Sequence, residues 1–125
     1  MNTTLMGRIL IVEDTPSEME LMSYYLRESG YIVIGVNNAK VALEKAIEEK
    51  PDVIVTDVVM PEMSGFELCR MLKRHPMTEK VPIIICTSKN QEIDRFWGMK
   101  QGADAYITKP FTREQLIRAV VSVAG

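Results

Sequence analysis

Short apolar runs alternate with amphipathic stretches along the chain. The runs are Ile9–Val12, Ile32–Val36, Val53–Val55, Val81–Cys86 and Ala105–Ile107. They are rich in β-branched residues and nearly unbroken by polar ones, which predicts strands covered on both faces. Between them apolar residues recur at helical spacing: Met19, Met22 and Leu26; Val41 with Ile47; Phe66, Cys69 and Leu72; Leu116 with Val120. Thr15-Pro16 places a cap residue before a proline at the first helical position. Ser64 with Glu67 and Thr112 with Gln115 read as capping boxes. Gly30 and Gly102 follow helical runs, where a left-handed C-cap suits glycine. Gly98 is a misfit, since glycine inside a helix costs about 1 kcal/mol relative to alanine. Of the adjacent aromatics, Phe96 shares helical spacing with Ile93 and is expected to face inward, leaving Trp97 half-exposed.

The pattern is strand then helix, five times over. It predicts an α/β fold, a three-layer αβα sandwich around an open, doubly wound parallel sheet, because five strands are too few for an eight-stranded barrel. The 125 residues fit a single domain over 1–125, large enough to hold a core without disulfide or metal. With 46% hydrophobic and 26% charged residues the chain is neither disordered nor, lacking any apolar run near 18 residues, membrane-inserted. A formal charge of −2 argues against a nucleic-acid partner. Cys69 and Cys86 lie far apart and are expected to be buried free thiols. Met1–Met6 has neither a basic start nor a long apolar stretch, so no signal peptide is expected and the cytoplasm is the expected compartment. The nine methionines are expected mostly in the core.

Sites in open parallel sheets form beyond the carboxyl ends of the strands. The first run is followed there by Glu13 and Asp14, the third by Asp57, the fourth by Thr87, and the fifth leads through Thr108 to Lys109 and Pro110. Each acid alone could be a cap or loop residue. Together, three carboxylates, a hydroxyl and an ammonium on one edge need a chemical reason, since crowded carboxylates repel. A hard divalent cation with oxygen ligands, magnesium above all, would relieve the charge. Such a pocket could take a phosphoryl group, with Asp57, at the end of a strand expected to be central, as nucleophile. Other chemistries lack their residues. There is no GxGxxG and no GxxxxGK[ST]. Glu13 and Asp14 repel the phosphate a flavin would bring. The one histidine, His75, sits in Lys73-Arg74-His75-Pro76 as the cationic end of the third helix, which leaves no catalytic triad.

The segments Ile9–Asp14, Thr56–Gly65, Ile85–Ser88 and Gly102–Phe111 resemble the receiver domain of bacterial two-component response regulators, the CheY-like family, over essentially the whole chain. The D-x-x-M-P-x-M-x-G stretch from Asp57 with the downstream Lys109-Pro110-Phe111 is specific as a set. The resemblance implies strand order 2-1-3-4-5. It implies that Asp57 accepts a phosphoryl group from a histidine kinase. It further implies Mg2+ held by Asp14, Asp57 and the main-chain carbonyl of Val59, with Glu13 helping through water. Thr87 and Lys109 would bind phosphoryl oxygens, Thr87 and Tyr106 would form the switch, and the Lys109–Pro110 peptide would be cis. Thr87–Glu92 with Asp94, Trp97-Gly98 and Gln101–Ala103 is similar to single-domain receivers of the PilH kind. These act with chemotaxis-like kinases in type IV pilus motility or phototaxis.

The implied mechanism is a population shift: a phosphoryl on Asp57 draws Thr87 in, Tyr106 rotates into the vacated space, and the surface of the fourth helix, fifth strand and fifth helix is remodelled for a downstream protein target. Glu13 stands where the family often has aspartate, with little expected effect. Val59 and Lys89 occupy positions that tune phosphoryl lifetime. The chain is expected to be no enzyme beyond self-catalysed phosphotransfer and dephosphorylation, and a monomer or a phosphorylation-dependent dimer. An unphosphorylated interaction module or a phosphate sink is the alternative. A haloacid dehalogenase-type phosphatase is not, because it needs D-x-D and Val59 fills the second position. The last helix is expected from about Thr112 to Val123, so Ala124-Gly125 would leave no room for an output domain.

Overall fold

The computed structural model describes residues 7–124. The reading of Met1–Met6 and that of Gly125 lie outside this range. Ten elements alternate: β1 (Arg8–Val12), α1 (Pro16–Glu28), β2 (Ile32–Val36), α2 (Ala39–Glu49), β3 (Val53–Thr56), α3 (Gly65–Arg74), β4 (Ile83–Thr87), α4 (Glu92–Lys100), β5 (Ala105–Thr108) and α5 (Arg113–Ala124). All strand pairs are parallel, in the order β2-β1-β3-β4-β5, as expected. Opposite Val12 in β1 stand Val36 in β2 and Thr56 in β3, so the polar residues that follow emerge at one edge.

The sheet buries two apolar layers. On one face Ile9, Ile11, Val53, Val55, Ile84 and Cys86 meet Met22 and Leu26 of α1 and Leu116 and Val120 of α5. On the other, Leu10, Val12, Ile54, Ile83 and Ile85 meet α2 and α3 through Ala42, Ala46, Leu68, Cys69 and Leu72. Each fully buried Leu or Ile contributes about 1.5–3 kcal/mol. No helix among the described residues is long and apolar enough to cross a membrane.

Several local expectations need correction. The fourth strand starts at Ile83 rather than Val81, because the Val81 N–H donates into the preceding turn at Thr78 O (3.0 Å) and Pro82 has no N–H. β2 is not covered on both faces: it is an outer strand, and Ile32 is exposed. Val41 is exposed and Ile47 half-buried, since α2 packs through alanines that let it lie close to the sheet. Among the described residues only Met22 is a fully buried methionine; Met19, Met60 and Met63 are half-buried, and Met71, Met77 and Met99 are exposed. Phe96 does not face inward. Phe96, Trp97 and Ile93 are 53%, 52% and 61% exposed, because α4 meets the sheet through Gly98. A Cβ there would lie 3.0 Å from the Tyr106 ring and 3.1 Å from Ile85, so this glycine sets how closely α4 approaches β5.

The Thr112–Gln115 box is reciprocal: the Thr112 N–H donates to Gln115 Oε1 (2.8 Å) and the Gln115 N–H to Thr112 Oγ1 (3.1 Å). Ser64 Oγ accepts the Glu67 N–H. Thr15 caps α1 with its main-chain carbonyl only. Gly30 and Gly102 have φ of 98° and 106°, which suits glycine at both helix ends.

Both cysteines are buried free thiols. Burial pushes Cys69 up to about 11 and Cys86 up to about 12. The thiolate is the nucleophile, so neither is expected to react with a disulfide reagent at pH 8 while the chain is folded, and both react in denaturant. Their raised values favour the folded state up to the unfolded thiol range near 9. That contribution is then lost as pH climbs toward about 11 and 12. Paired thiol titrations, native and unfolded, check this; rapid native reaction of either cysteine would refute it.

Candidate functional site

Four strand ends build the site. β1 passes directly into Glu13, whose N–H donates to Val36 O (3.1 Å), and into exposed Asp14. Asp57 follows β3, the central strand, and its N–H donates to Val12 O (3.1 Å). Its Oδ1 accepts the Val58 N–H at 2.6 Å. The Thr56 hydroxyl donates to Asp57 O (2.8 Å), and the Gly65 N–H donates to Val58 O (2.9 Å). The first residue of α3 is thereby held against the backbone of Asp57, and a Cβ on Gly65 would lie 1.9 Å from Asp57 O. Thr87 ends β4, buried, and its carbonyl accepts the Lys109 N–H at 2.8 Å. The Lys109–Pro110 peptide is cis.

One carboxylate oxygen each from Glu13, Asp14 and Asp57 lies within 4.8 Å of the others. Lys109 Nζ donates to Glu13 Oε1 at 2.7 Å and to Asp57 Oδ2 at 3.1 Å. It also forms an ion pair with Glu18 of α1. Burial raises the Glu13 carboxyl above the usual range, against the opposing pull of the Lys109 ammonium. Burial works against the charged form of Lys109 too, but Glu13, Glu18 and Asp57 outweigh it and hold the amine above the ordinary lysine range. The ammonium therefore stays charged throughout the working pH range.

Thr87 Oγ1 accepts the Lys89 N–H at 3.4 Å and, among the described residues, makes no hydrogen bond to the carboxylates. Tyr106 is buried, with its hydroxyl donating to Lys89 O at 2.7 Å. Burial, reinforced by Asp94, pushes the phenol up to about 12. The Arg95 guanidinium lies 5.1 Å from the Tyr106 ring centre and donates to Tyr106 O (3.0 Å). Val59 is exposed, two residues past Asp57.

The structure thus gathers Glu13, Asp14, Asp57 and Lys109 into one cluster. Thr87 joins it through the backbone, and Tyr106 is tied through its hydroxyl to Lys89 in the loop that follows Thr87. Glu18 and Arg95 escaped sequence reasoning, and Lys89, singled out there as a position that tunes phosphoryl lifetime, takes part in another way. Glu18 has only its place in the first turn of α1 to mark it, and acids are common there because of the helix dipole. Lys89 enters through its carbonyl, which no side-chain identity reveals. Arg95 has no signal beyond its charge.

Three carboxylates converging on one point form an all-oxygen donor set. It suits a hard cation such as Mg2+ and not a softer metal that prefers sulfur or imidazole. Beside it, Lys109 supplies a fixed positive charge for an anion. An anion held by both would lie next to a carboxylate oxygen of Asp57.

Comparison with known proteins gives the same picture. A family model described as the response regulator receiver domain matches residues 9–121. The chain is 42% identical over 118 residues to protein PilH of Pseudomonas aeruginosa, covering 94% of this chain and 98% of that one. Further curated relatives are transcriptional regulatory proteins, of which it spans about half the length, 48% for PhoP of Bacillus subtilis. Among solved structures, the chemotaxis response regulator CheY4 of Vibrio cholerae superposes with a TM-score of 0.89 at 31% identity, covering 94% of this chain and 98% of that one. A receiver domain of a Pseudomonas aeruginosa sensor histidine kinase, solved with a magnesium ion in its active-site cleft, gives 0.88 at 30% identity, covering 95% and 98%.

Proposed function

The chain belongs to the response regulator receiver family of two-component systems, and from that premise we propose that Asp57 is its phosphoacceptor, loaded by a histidine kinase. The observation that carries this reading is the position of Asp57. It is held at the end of the central strand, with oxygens of Glu13 and Asp14 close by and Lys109 at 3.1 Å. In the transfer a phosphohistidine P–N bond breaks, a P–O bond forms to an Asp57 oxygen, and the imidazole leaves, taking up a proton.

Mg2+ would be held by Asp14, Asp57 and the Val59 carbonyl, with Glu13 alongside, and would supply charge neutralisation between carboxylate and phosphoryl oxygens. The chain's own residues do the rest. Glu13 orients Lys109, and Lys109 pairs with one phosphoryl oxygen. Thr87 gives up its weak bond to the Lys89 N–H and donates to another. Thr87, the last residue of β4, leads directly into the loop whose Lys89 carbonyl holds Tyr106. Movement of Thr87 thereby reaches Tyr106 and the face formed by α4, β5 and α5, where a downstream protein target docks. The likeness to PilH supports a stand-alone receiver in motility or taxis control, with a chemotaxis-like kinase as donor and no catalysis beyond self-phosphorylation and hydrolysis of its own acyl phosphate.

The test adds beryllofluoride, a phosphoryl mimic, with Mg2+. Amide resonances of Thr87, Lys89 and Tyr106 are expected to shift, and Trp97 fluorescence to change. An unchanged spectrum in the presence of both reagents would overturn the reading. Phosphotransfer profiling against the histidine kinases of the source organism then identifies the donor.

A further inference from the structure

Lys109 is claimed by one carboxylate more than acceptor chemistry at Asp57 requires. An ammonium has three N–H donors. Here Glu13 Oε1 (2.7 Å), Asp57 Oδ2 (3.1 Å) and Glu18 Oε1 crowd around it. Glu18 is outside the group of three carboxylates that face a cation. Its Oε1 is shut off from solvent and has no hydrogen-bond partner, so the Lys109 charge is what meets it.

A phosphoryl oxygen arriving at Lys109 competes with these carboxylates for the ammonium. Glu13 has no route out, since its side chain is 0% exposed. Asp57 gives up its carboxylate charge on becoming an acyl phosphate, and its place at Lys109 passes to a phosphoryl oxygen. The Glu18 side chain is 40% exposed and can turn its carboxylate to water. We propose that Glu18 is a positioning residue that competes with the phosphoryl group for Lys109, so that its displacement is part of loading the site. The inference rests on the phosphoryl-binding reading above. It assigns to α1 a direct influence on how readily Asp57 is occupied, at a position that the motif residues do not include.

Removing the charge of Glu18 is expected to tighten anion binding without tightening cation binding. The experiment titrates beryllofluoride at saturating Mg2+ into wild type, Glu18→Gln and Glu20→Gln, followed by amide shifts. Glu20 is an exposed acid on the same helix and controls for net charge. Glu18→Gln is expected to bind beryllofluoride about 3–10-fold more tightly, and Glu20→Gln within about twofold of wild type. Mg2+ titrated alone is expected to bind Glu18→Gln no more tightly than wild type, a separation that general loosening of the site would not produce. Equal or weaker beryllofluoride binding by Glu18→Gln, or an equal gain in Glu20→Gln, would overturn the inference while leaving the phosphoryl-binding reading intact. A wild type that binds no beryllofluoride would overturn both.

Discussion

Asp57→Asn is expected to abolish phosphoryl uptake and to leave the fold in place. Both halves follow from the same geometry. The amide is nearly isosteric with the carboxylate, so its oxygen can still accept the Val58 N–H that Oδ1 accepts now at 2.6 Å. Lys109 retains Glu13 and Glu18. The ion pair lost is largely buried, but the neutral amide also relieves the repulsion from Glu13 and Asp14, so stability is expected to change by no more than about 1 kcal/mol. Chemistry is affected far more. An amide is not a nucleophile toward phosphorus at neutral pH, so labelling by a phosphorylated kinase should fall to background. Beryllofluoride, which needs a carboxylate oxygen to complete its tetrahedron, should lose at least about 100-fold in affinity, or about 2.8 kcal/mol. Amide shifts and denaturant unfolding on one sample separate the two halves. A variant that still responds like wild type would remove Asp57 from its assigned role.

Gly65→Ala is expected to be the most damaging single-methyl change near the site. In an exposed helix the substitution would add up to about 1 kcal/mol of stability. Here the new methyl carbon would lie 1.9 Å from Asp57 O, 2.8 Å from Asp57 C and 3.0 Å from Val58 Cα. These are main-chain atoms, so no rotamer change relieves the overlap, and α3 must withdraw. Withdrawal stretches the bond from the Gly65 N–H to Val58 O and tilts Leu68, Cys69 and Leu72 out of their layer. A loss of about 2–4 kcal/mol is expected in denaturant unfolding, with weaker Mg2+ binding because Asp57 moves with its carbonyl. An alanine variant as stable as wild type would show that the contact is soft.

The residues that were legible in advance share a property: their role follows from covalent position along a strand. Runs of β-branched residues mark strands, a parallel sheet puts the following residues on one edge, and Glu13, Asp14, Asp57, Thr87 and Lys109 fall there in consequence. What escaped depends on how one surface meets another. Gly98 looked like a defect within a helix, yet it is where α4 touches the sheet, so Ile93 and Phe96 turn outward despite their helical spacing. α2 hides alanines and shows Val41 because closeness to the sheet counts for more there than side-chain size. Lys50 ends α2 in the left-handed region with φ 49°, where no glycine announces the turn. Glu18 belongs to the same class: its pairing with Lys109 joins residues far apart in sequence, and neither residue type specifies the other.

The placement of β1 between β2 and β3 has a consequence for synthesis. β1 leaves the ribosome before the other strands of its sheet and acquires its β2 neighbour early, but its other edge waits for Val53–Thr56, and β3 in turn waits for Ile83–Ile85. During that interval Ile9–Val12 presents an unpaired, wholly apolar edge. One of its faces also lacks Leu116 and Val120 of α5, which is made after all five strands. Chains halted before β3 therefore carry a strand that α1 and α2 can cover but whose second edge has no partner, the situation that favours intermolecular pairing. Rapid completion of translation, or a chaperone at the nascent chain, protects the strand that later positions the acidic pair.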